Sequence, residues 1–381
     1  METRKLFYEN SHTRSFDATA LSCAPADGGW EIALDATAFY PGGGGQPCDT
    51  GTLGGASVLS VREDGETILH LCDKPLPVGA SVHGEIDWAR RLDLMQQHTG
   101  EHILSGIIHQ RFGYQNTGFH IGAELVTVDF DGKISLEELK DIEDAANGAI
   151  WENLPVESWY PSPEELPNTV YRTKRPLPWP VRIVEIPGYD RCACCAVHVA
   201  RTGEVGFIKL FSCVNFHEGV RIEIACGGRA LALLSAVYEQ NKQVSAAFSA
   251  KILETGDAAR QMNNLLAEEK FRSTGLLRKL FDTLAEGYAR AGDVVHFEES
   301  LTPAECRELC DRIAQVCDGT AAVFSGSDTA GYCACLVNKH EDVKALGDAM
   351  CKALNGRGGG KGFFSGRVNA TQEQIKAFFE K

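Results

Sequence analysis

The sequence has 381 residues, 44% hydrophobic and 23% charged, with 37 Lys and Arg against 52 Asp and Glu for a net charge of −15. This is the composition of a globular protein of two or three domains rather than of a disordered chain, and its acidity argues against wholesale polyanion coating. No stretch approaches the roughly 20 apolar residues of a membrane span, and 14 Cys with three of them in CACC read as reduced thiols and metal ligands, so a cytoplasmic protein without a membrane partner is expected.

The expected fold class is α+β, in four parts. In residues 1–88 the runs WEIALDATAFY, SVLSVRE, TILHLC and SVHGEID alternate apolar and polar positions between Gly and Pro clusters, the pattern of a small β-barrel subdomain. A helix follows through WARRLDLMQQHTGEHILSGIIHQRFG, with Asp87 as N-cap and Gly113 as stop. The strand ELVTVDF, a capped helix from Ser135 to Asn153, a Pro-rich connection at 155–180 and strands near VRIVEI, GFIKLFSCV and RIEIA complete an α/β layer over 89–226. Residues 228–254 and 257–290 have helical apolar spacing, with Thr255 and Gly256 as the break, and predict an antiparallel helical arm over 227–290. Alternating strands and helices then make 291–381 a small α/β domain.

His98 and His102 lie four apart on the predicted helix, so both imidazoles project from one face and can reach one ion. Cys194 and His198 repeat that spacing. An extended strand would separate them by about 13 Å, too far for ligands about 2.0 to 2.3 Å from one metal, so the segment CCAVH must turn. One thiolate with three imidazoles suits Zn better than Mg or Ca. Cys192, Cys195, Cys213, His217 and His109 remain competing donors.

FYPGGGGQPCDTG, at 39–51, lets a ligand approach the backbone closely, yet no Gly-Lys-Ser/Thr follows to make it a phosphate loop. Gln46 stands in it as an amide that can both donate and accept. Two basic stretches lack any carboxylate: 166–184, with Arg172, Lys174, Arg175 and Arg182, and 352–367, with Lys352, Arg357, Lys361 and Arg367.

The ordered set FYPGGGGQPCDTG, HTGEH, GFHIGAELVTVDF, a Cys-x3-His followed by TGEVGFIKL, and RIEIACGG resembles the editing domain of alanyl-tRNA synthetases and their freestanding AlaX-type relatives. The helical arm and GRGGGKGFFSG resemble the C-terminal, DHH-associated domain of the long AlaX-type proteins, although no DHH catalytic motif occurs. The resemblance implies zinc held by His98, His102, Cys194 and His198. Relatives usually carry Cys-Gly-Gly-Thr-His where this chain has Cys194, Cys195, Ala196, Val197 and His198, which leaves Cys195 as the competing thiol.

The resemblance further implies a deacylase acting in trans on mischarged alanine tRNA, removing Ser and as a second substrate Gly. A synthesis pocket for Ala cannot strongly reject an isostere with one added hydroxyl, so a second site must discriminate. Thr37 and Gln46 are assigned to the Ser hydroxyl. Arg172, Lys174, Arg175, Arg357 and Lys361 would track tRNA phosphates, and the arm or the C-terminal domain is the candidate surface for a homodimer. Two alternatives from other classes stand beside this reading. One is a zinc peptidase of His-x-x-Glu-His type with Glu101 as base, although Glu101 is expected to support the fold. The other is a non-catalytic tRNA-binding module with structural zinc.

Overall fold

The computed structural model describes residues 2–173, 177 and 179–380. It divides into two compact units, Met1–Gln243 and Val244–Lys381. No helix among the described residues is long and apolar enough to cross a membrane.

In the first unit six strands close into a barrel in the order Ser15–Ala26, Gly29–Leu34, Thr67–Cys72, Ala56–Asp64, Gly51–Leu53 and Ser81–Ile86. The sequence alternation is the cause. Along Ser81–Ile86 the residues Val82, Gly84 and Ile86 point inward and the residues between them outward, as period two requires. Phe16, Ile32, Leu34, Phe39, Leu53, Ile68 and Cys72 fill the interior.

The barrel leads directly into the helix Trp88–Phe112, hereafter the site helix. The Asp87 side chain accepts from the Arg90 amide at its start, and Gly113 closes it in the left-handed conformation with its N–H on His109 O. The helix packs through Leu94, Met95, Ile103, Leu104, Ile107 and Ile108 into a core shared with Ile142, Ala146, Ala149, Val126, Val128, Ile222 and Ile224. Each such side chain contributes about 1.5 to 3 kcal/mol of burial. These partners belong to the helix Leu136–Trp151, whose Ser135 and Glu138 form a capping box, and to an antiparallel sheet ordered Ile208–Phe216, Gly219–Cys226, Val126–Phe130, Asn116–Ile121. A three-stranded meander, Glu157–Trp159, Ile183–Ile186 and Asp190–Ala193, completes the unit.

A buried ion pair ties barrel to site helix. Arg91 and Asp49 are both almost fully buried, and Arg91 Nε reaches both Asp49 oxygens at 2.9 Å while its Nη atoms donate to Ser11 O and Ala38 O. Asp49 also accepts from Tyr40 N at 2.6 Å and donates its own N–H to Tyr40 O at 3.0 Å. Both ends of the glycine-rich loop are thereby anchored to the helix that carries the histidines.

The second unit is a five-stranded sheet ordered Val294–Glu298, Ala321–Ser327, Gly331–Val337, Phe364–Val368, Arg357–Gly359, parallel only in its first pair. Strand alternation splits its core in two: Ala321, Val323 and Cys335 pack with Phe281, Cys306, Leu309 and Ile313, whereas Ala322, Phe324 and Leu336 pack with Met350, Phe364 and Ile375.

Two helices span Gly227–Phe248 and Thr255–Glu286. The break between them differs from expectation. Thr255 and Gly256 open the second helix, and the first ends at Ser249, which takes φ +50° as Ala250 N bonds Ser245 O.

Candidate metal centre and the cavity around it

His98, His102, Cys194 and His198 converge, their ligand atoms all within 4.8 Å of one another. Cys194 Sγ lies 3.7 Å from His98 Nε2 and 3.5 Å from His198 Nε2. The two histidines of the site helix meet because one turn separates them. The thiol and third imidazole meet because the strand Asp190–Ala193 ends one residue before Cys194 and the chain then turns. Arg182 pins that turn, its Nη1 donating to Cys194 O at 3.0 Å and Ala196 O at 2.8 Å.

Each imidazole is held by its other nitrogen. Nδ1 of His98 is 3.0 Å from Gln46 Oε1, Nδ1 of His102 is 2.9 Å from Asp190 Oδ2, and Nδ1 of His198 is 3.1 Å from Thr99 Oγ1. With Nδ1–H donating to these acceptors, all three Nε2 lone pairs face the centre, the tautomer a metal ligand needs. Asp190 is held in turn by Arg172, whose Nε and Nη2 reach its two oxygens at 2.7 and 2.8 Å.

The electrostatics agree. Burial alone would push the Cys194 thiol up, but His98 and His102 hold it well below the ordinary thiol range, while burial pulls His198 down to about 3. Burial also opposes charge on His102, yet Asp190 and Cys194 keep its pKa well above the ordinary value. A divalent cation binding here takes the place of the protons that thiol and imidazoles would otherwise share, and releases them. The donor set fits a borderline-soft ion with N and S ligands.

Beside the centre lies a cavity of about 940 Å³, lined by His98, Glu101, His102, Asn116, Phe119 and Cys195 among others. The glycine-rich loop forms one wall. Gly42 to Gly45 all take positive φ, and a Cβ on Gly45 would lie 2.5 Å from the Phe119 ring, which itself sits 4.9 Å from the His98 ring. Any side chain there would press Phe119 onto the ligand. A second close approach fixes Asp190: a Cβ on Gly106 would lie 2.3 Å from Tyr189 O, so glycine lets that strand reach the site helix.

The sequence-predicted residues fall into three groups. The structure brings together His98, His102, Cys194 and His198, with Gln46 in direct contact. Of the competing donors, Cys195 is an exposed thiol on the cavity wall. Cys213 pairs with Ile222 within a strand, and His109 hydrogen-bonds around Tyr114 and Gln115.

Two residues are placed elsewhere than expected. Thr37 lies on the short strand Ala36–Thr37 that pairs with Arg4–Lys5, fully buried, and its hydroxyl donates to His70 Nε2 at 2.8 Å and accepts from Phe39 N, so its one O–H is already committed. Arg172 has a side chain only 12% exposed and is committed to Asp190, so it positions a ligand rather than tracking phosphates. Glu101 is buried, and it shares the cavity wall with the two histidines. Arg357 and Lys361 are exposed and form no ion pair among the described residues; Lys174 and Arg175 lie outside the described residues. Sequence reasoning missed Asp190, Thr99 and Asn116. Position beside a ligand was the only signal for Thr99, and Asp190 had none beyond its place just before CACC.

The family model described as threonyl and alanyl tRNA synthetase second additional domain matches residues 181–223, which include Cys194 and His198. The alanine–tRNA ligase of Thermofilum pendens is 30% identical over 407 residues, covering 99% of this chain and 43% of the ligase. The chain thus spans less than half of that relative. The alanyl-tRNA editing protein Aarsd1 of Mus musculus is 26% identical over 395 residues, covering 98% of this chain and 96% of its own length, and the Danio rerio protein of that name is 26% identical over 381 residues, covering 94% and 92%. Along nearly its whole length the chain is thus similar to proteins named as alanyl-tRNA editing proteins, and to less than half of an alanine–tRNA ligase.

Proposed function

We propose that the protein hydrolyses the ester of mischarged alanine tRNA in trans, removing Ser, with Gly as a second substrate, at a zinc site made by His98, His102, Cys194 and His198. The observation that carries this reading is the convergence of those four ligand atoms, each imidazole oriented by its own acceptor, on the wall of a cavity large enough for an acylated nucleoside. The full-length match to proteins named as alanyl-tRNA editing proteins supports the substrate. When bound, zinc supplies a fixed positive charge beside the ester. Four protein ligands make a closed site, so the chain's own groups position the ester and admit water.

Selectivity in this reading belongs to Gln46. Its Oε1 accepts from His98, which directs Nε2 away as a donor, and that nitrogen is buried without a partner in a residue 3% exposed. A Ser hydroxyl would satisfy it. Ala would leave it bare at a cost of about 1 to 3 kcal/mol, which protects the correctly charged product. Arg357 and Lys361, with Lys174 and Arg175, would contact phosphates and give an affinity that falls with salt. The peptidase alternative needs an open metal position, and the Cys194 thiol stands in it.

The test is deacylation of Ser-tRNA and Ala-tRNA, both on the alanine tRNA, by wild type and Cys194→Ala with zinc content determined alongside. Loss of Ser only, abolished together with zinc in the variant, is the expected result. If zinc-loaded wild type cleaves neither ester, the protein is a binding module.

A further inference from the structure

We propose that Glu101 and Asn116 form the seat for the α-ammonium group of the aminoacyl ester. This rests on the deacylase reading and deepens it. Glu101 lies three residues after His98 and one before His102, so the site helix presents its carboxylate on the same cavity wall as the two ligands. Its Oε1 receives the Ser105 hydroxyl and Asn116 Nδ2, the latter at 2.5 Å. Asn116 Nδ2 also lies 3.2 Å from Ser105 Oγ.

These contacts fix the amide. Turning Asn116 over would set its oxygen against the Glu101 carboxylate, so Nδ2 faces Glu101 and Oδ1 is the free end. That oxygen is buried, in a residue 8% exposed, and has no hydrogen-bond partner. Glu101 forms no ion pair with a described residue, and the Arg172 guanidinium that acts on it at longer range is committed to Asp190. A carboxylate and a bare acceptor therefore stand side by side on the cavity wall.

The ligand chemistry follows. An aminoacyl ester carries its ammonium on the carbon next to the scissile carbonyl, and an ammonium offers three donors and no acceptor. One N–H to Glu101 and one to Asn116 Oδ1 would hold that carbon in place beside the scissile carbonyl. An uncharged acyl group, or one whose nitrogen is already in an amide, cannot make the charged contact.

The experiment compares two esters of the alanine tRNA: serine, and glyceric acid, in which a hydroxyl replaces the ammonium. Wild type should favour the serine ester by roughly tenfold to a hundredfold in kcat/KM, the range for one or two charge-assisted hydrogen bonds. Glu101→Gln and Asn116→Ala should each bring the ratio toward one by slowing the serine ester more than the glycerate, whose α-hydroxyl can make only neutral hydrogen bonds there, with zinc content unchanged. A wild-type ratio near one overturns the proposal, as does a ratio undiminished in both variants. Should Glu101→Gln fail to retain zinc, Asn116→Ala decides. Equal cleavage of both esters removes this inference and leaves the deacylase reading intact. Cleavage of neither by zinc-loaded wild type removes both.

Discussion

Asp190 orients one imidazole of the candidate metal centre, and Asp190→Asn isolates that role. The carboxylate accepts His102 Nδ1–H at 2.9 Å on Oδ2 and Arg172 at 2.7 and 2.8 Å across both oxygens. Asparagine has one acceptor oxygen for these three donors and turns an N–H toward one of them. His102 thus loses an anionic partner that raises its basicity as a ligand. Replacing such a partner costs metal affinity about 10- to 100-fold, or roughly 1.4 to 2.7 kcal/mol. Arg172, with 12% of its side chain exposed, loses its counter-charge, which adds a stability cost. The assay is competition against a chelator of known zinc affinity, with urea unfolding measured alongside. Arg172→Gln alone should weaken zinc less, and in the Asp190→Asn background it should recover stability, because the unpaired buried cation is then gone. Zinc affinity in Asp190→Asn within a factor of two of wild type would refute the reasoning.

Three other perturbations follow from distances in the first unit. Gly45→Ala should cost about 1 to 3 kcal/mol in strain and lower zinc occupancy, because φ is +88° and the new methyl meets Phe119 at 2.5 Å; unaltered zinc retention would show that the ring has room to move. Asp49→Ala should lower unfolding free energy by about 3 to 5 kcal/mol by stranding the buried Arg91, whereas Asp49→Leu with Arg91→Met should recover much of the loss in urea unfolding. His70 is fully buried, and burial pulls it down to about 4 from 6.5. Its contribution is complete above pH 6.5 and fades as pH falls toward 4, since only the unfolded chain binds the proton in between. About 2 kcal/mol should be lost between pH 7 and 5, and His70→Gln should flatten that part of the stability profile; an unchanged slope would contradict it.

The convergence of the four candidate ligands was legible because each pair obeys a local rule. His98 and His102 follow the helical period, and Cys194 and His198 follow from the turn that a shared ion demands. Gln46 was legible as a polar group among glycines. Asp190 and Arg172 were not, because their pairing depends on where two segments 18 residues apart meet: Arg172 N bonds Arg191 O at 2.7 Å, and that backbone contact carries the guanidinium to the carboxylate. In sequence, Arg172 is indistinguishable from its basic neighbours. Thr37 misled in the opposite sense. It is close to the loop along the chain, but strand direction turns its hydroxyl to His70 inside the barrel. Contacts within one helix or one turn can be read from spacing; contacts set by sheet register cannot.

Gln46 combines two tasks that one substitution can separate. Its oxygen orients His98, and its nitrogen is the unpartnered donor assigned to the Ser hydroxyl. Gln46→Glu keeps an acceptor for His98 Nδ1–H, with added charge that should hold zinc at least as tightly. It has no N–H left to donate. Selectivity for the serine over the alanine ester should therefore fall by roughly 5- to 150-fold, the equivalent of the 1 to 3 kcal/mol that a satisfied buried donor is worth, while zinc content stays at one per chain. Gln46→Leu removes both tasks, so zinc affinity and selectivity should fall together. The contrast between the two variants is the informative quantity. If Gln46→Glu keeps full selectivity with zinc bound, the serine hydroxyl is read elsewhere or by donating to the new carboxylate, and the Gln46 N–H is not what selects.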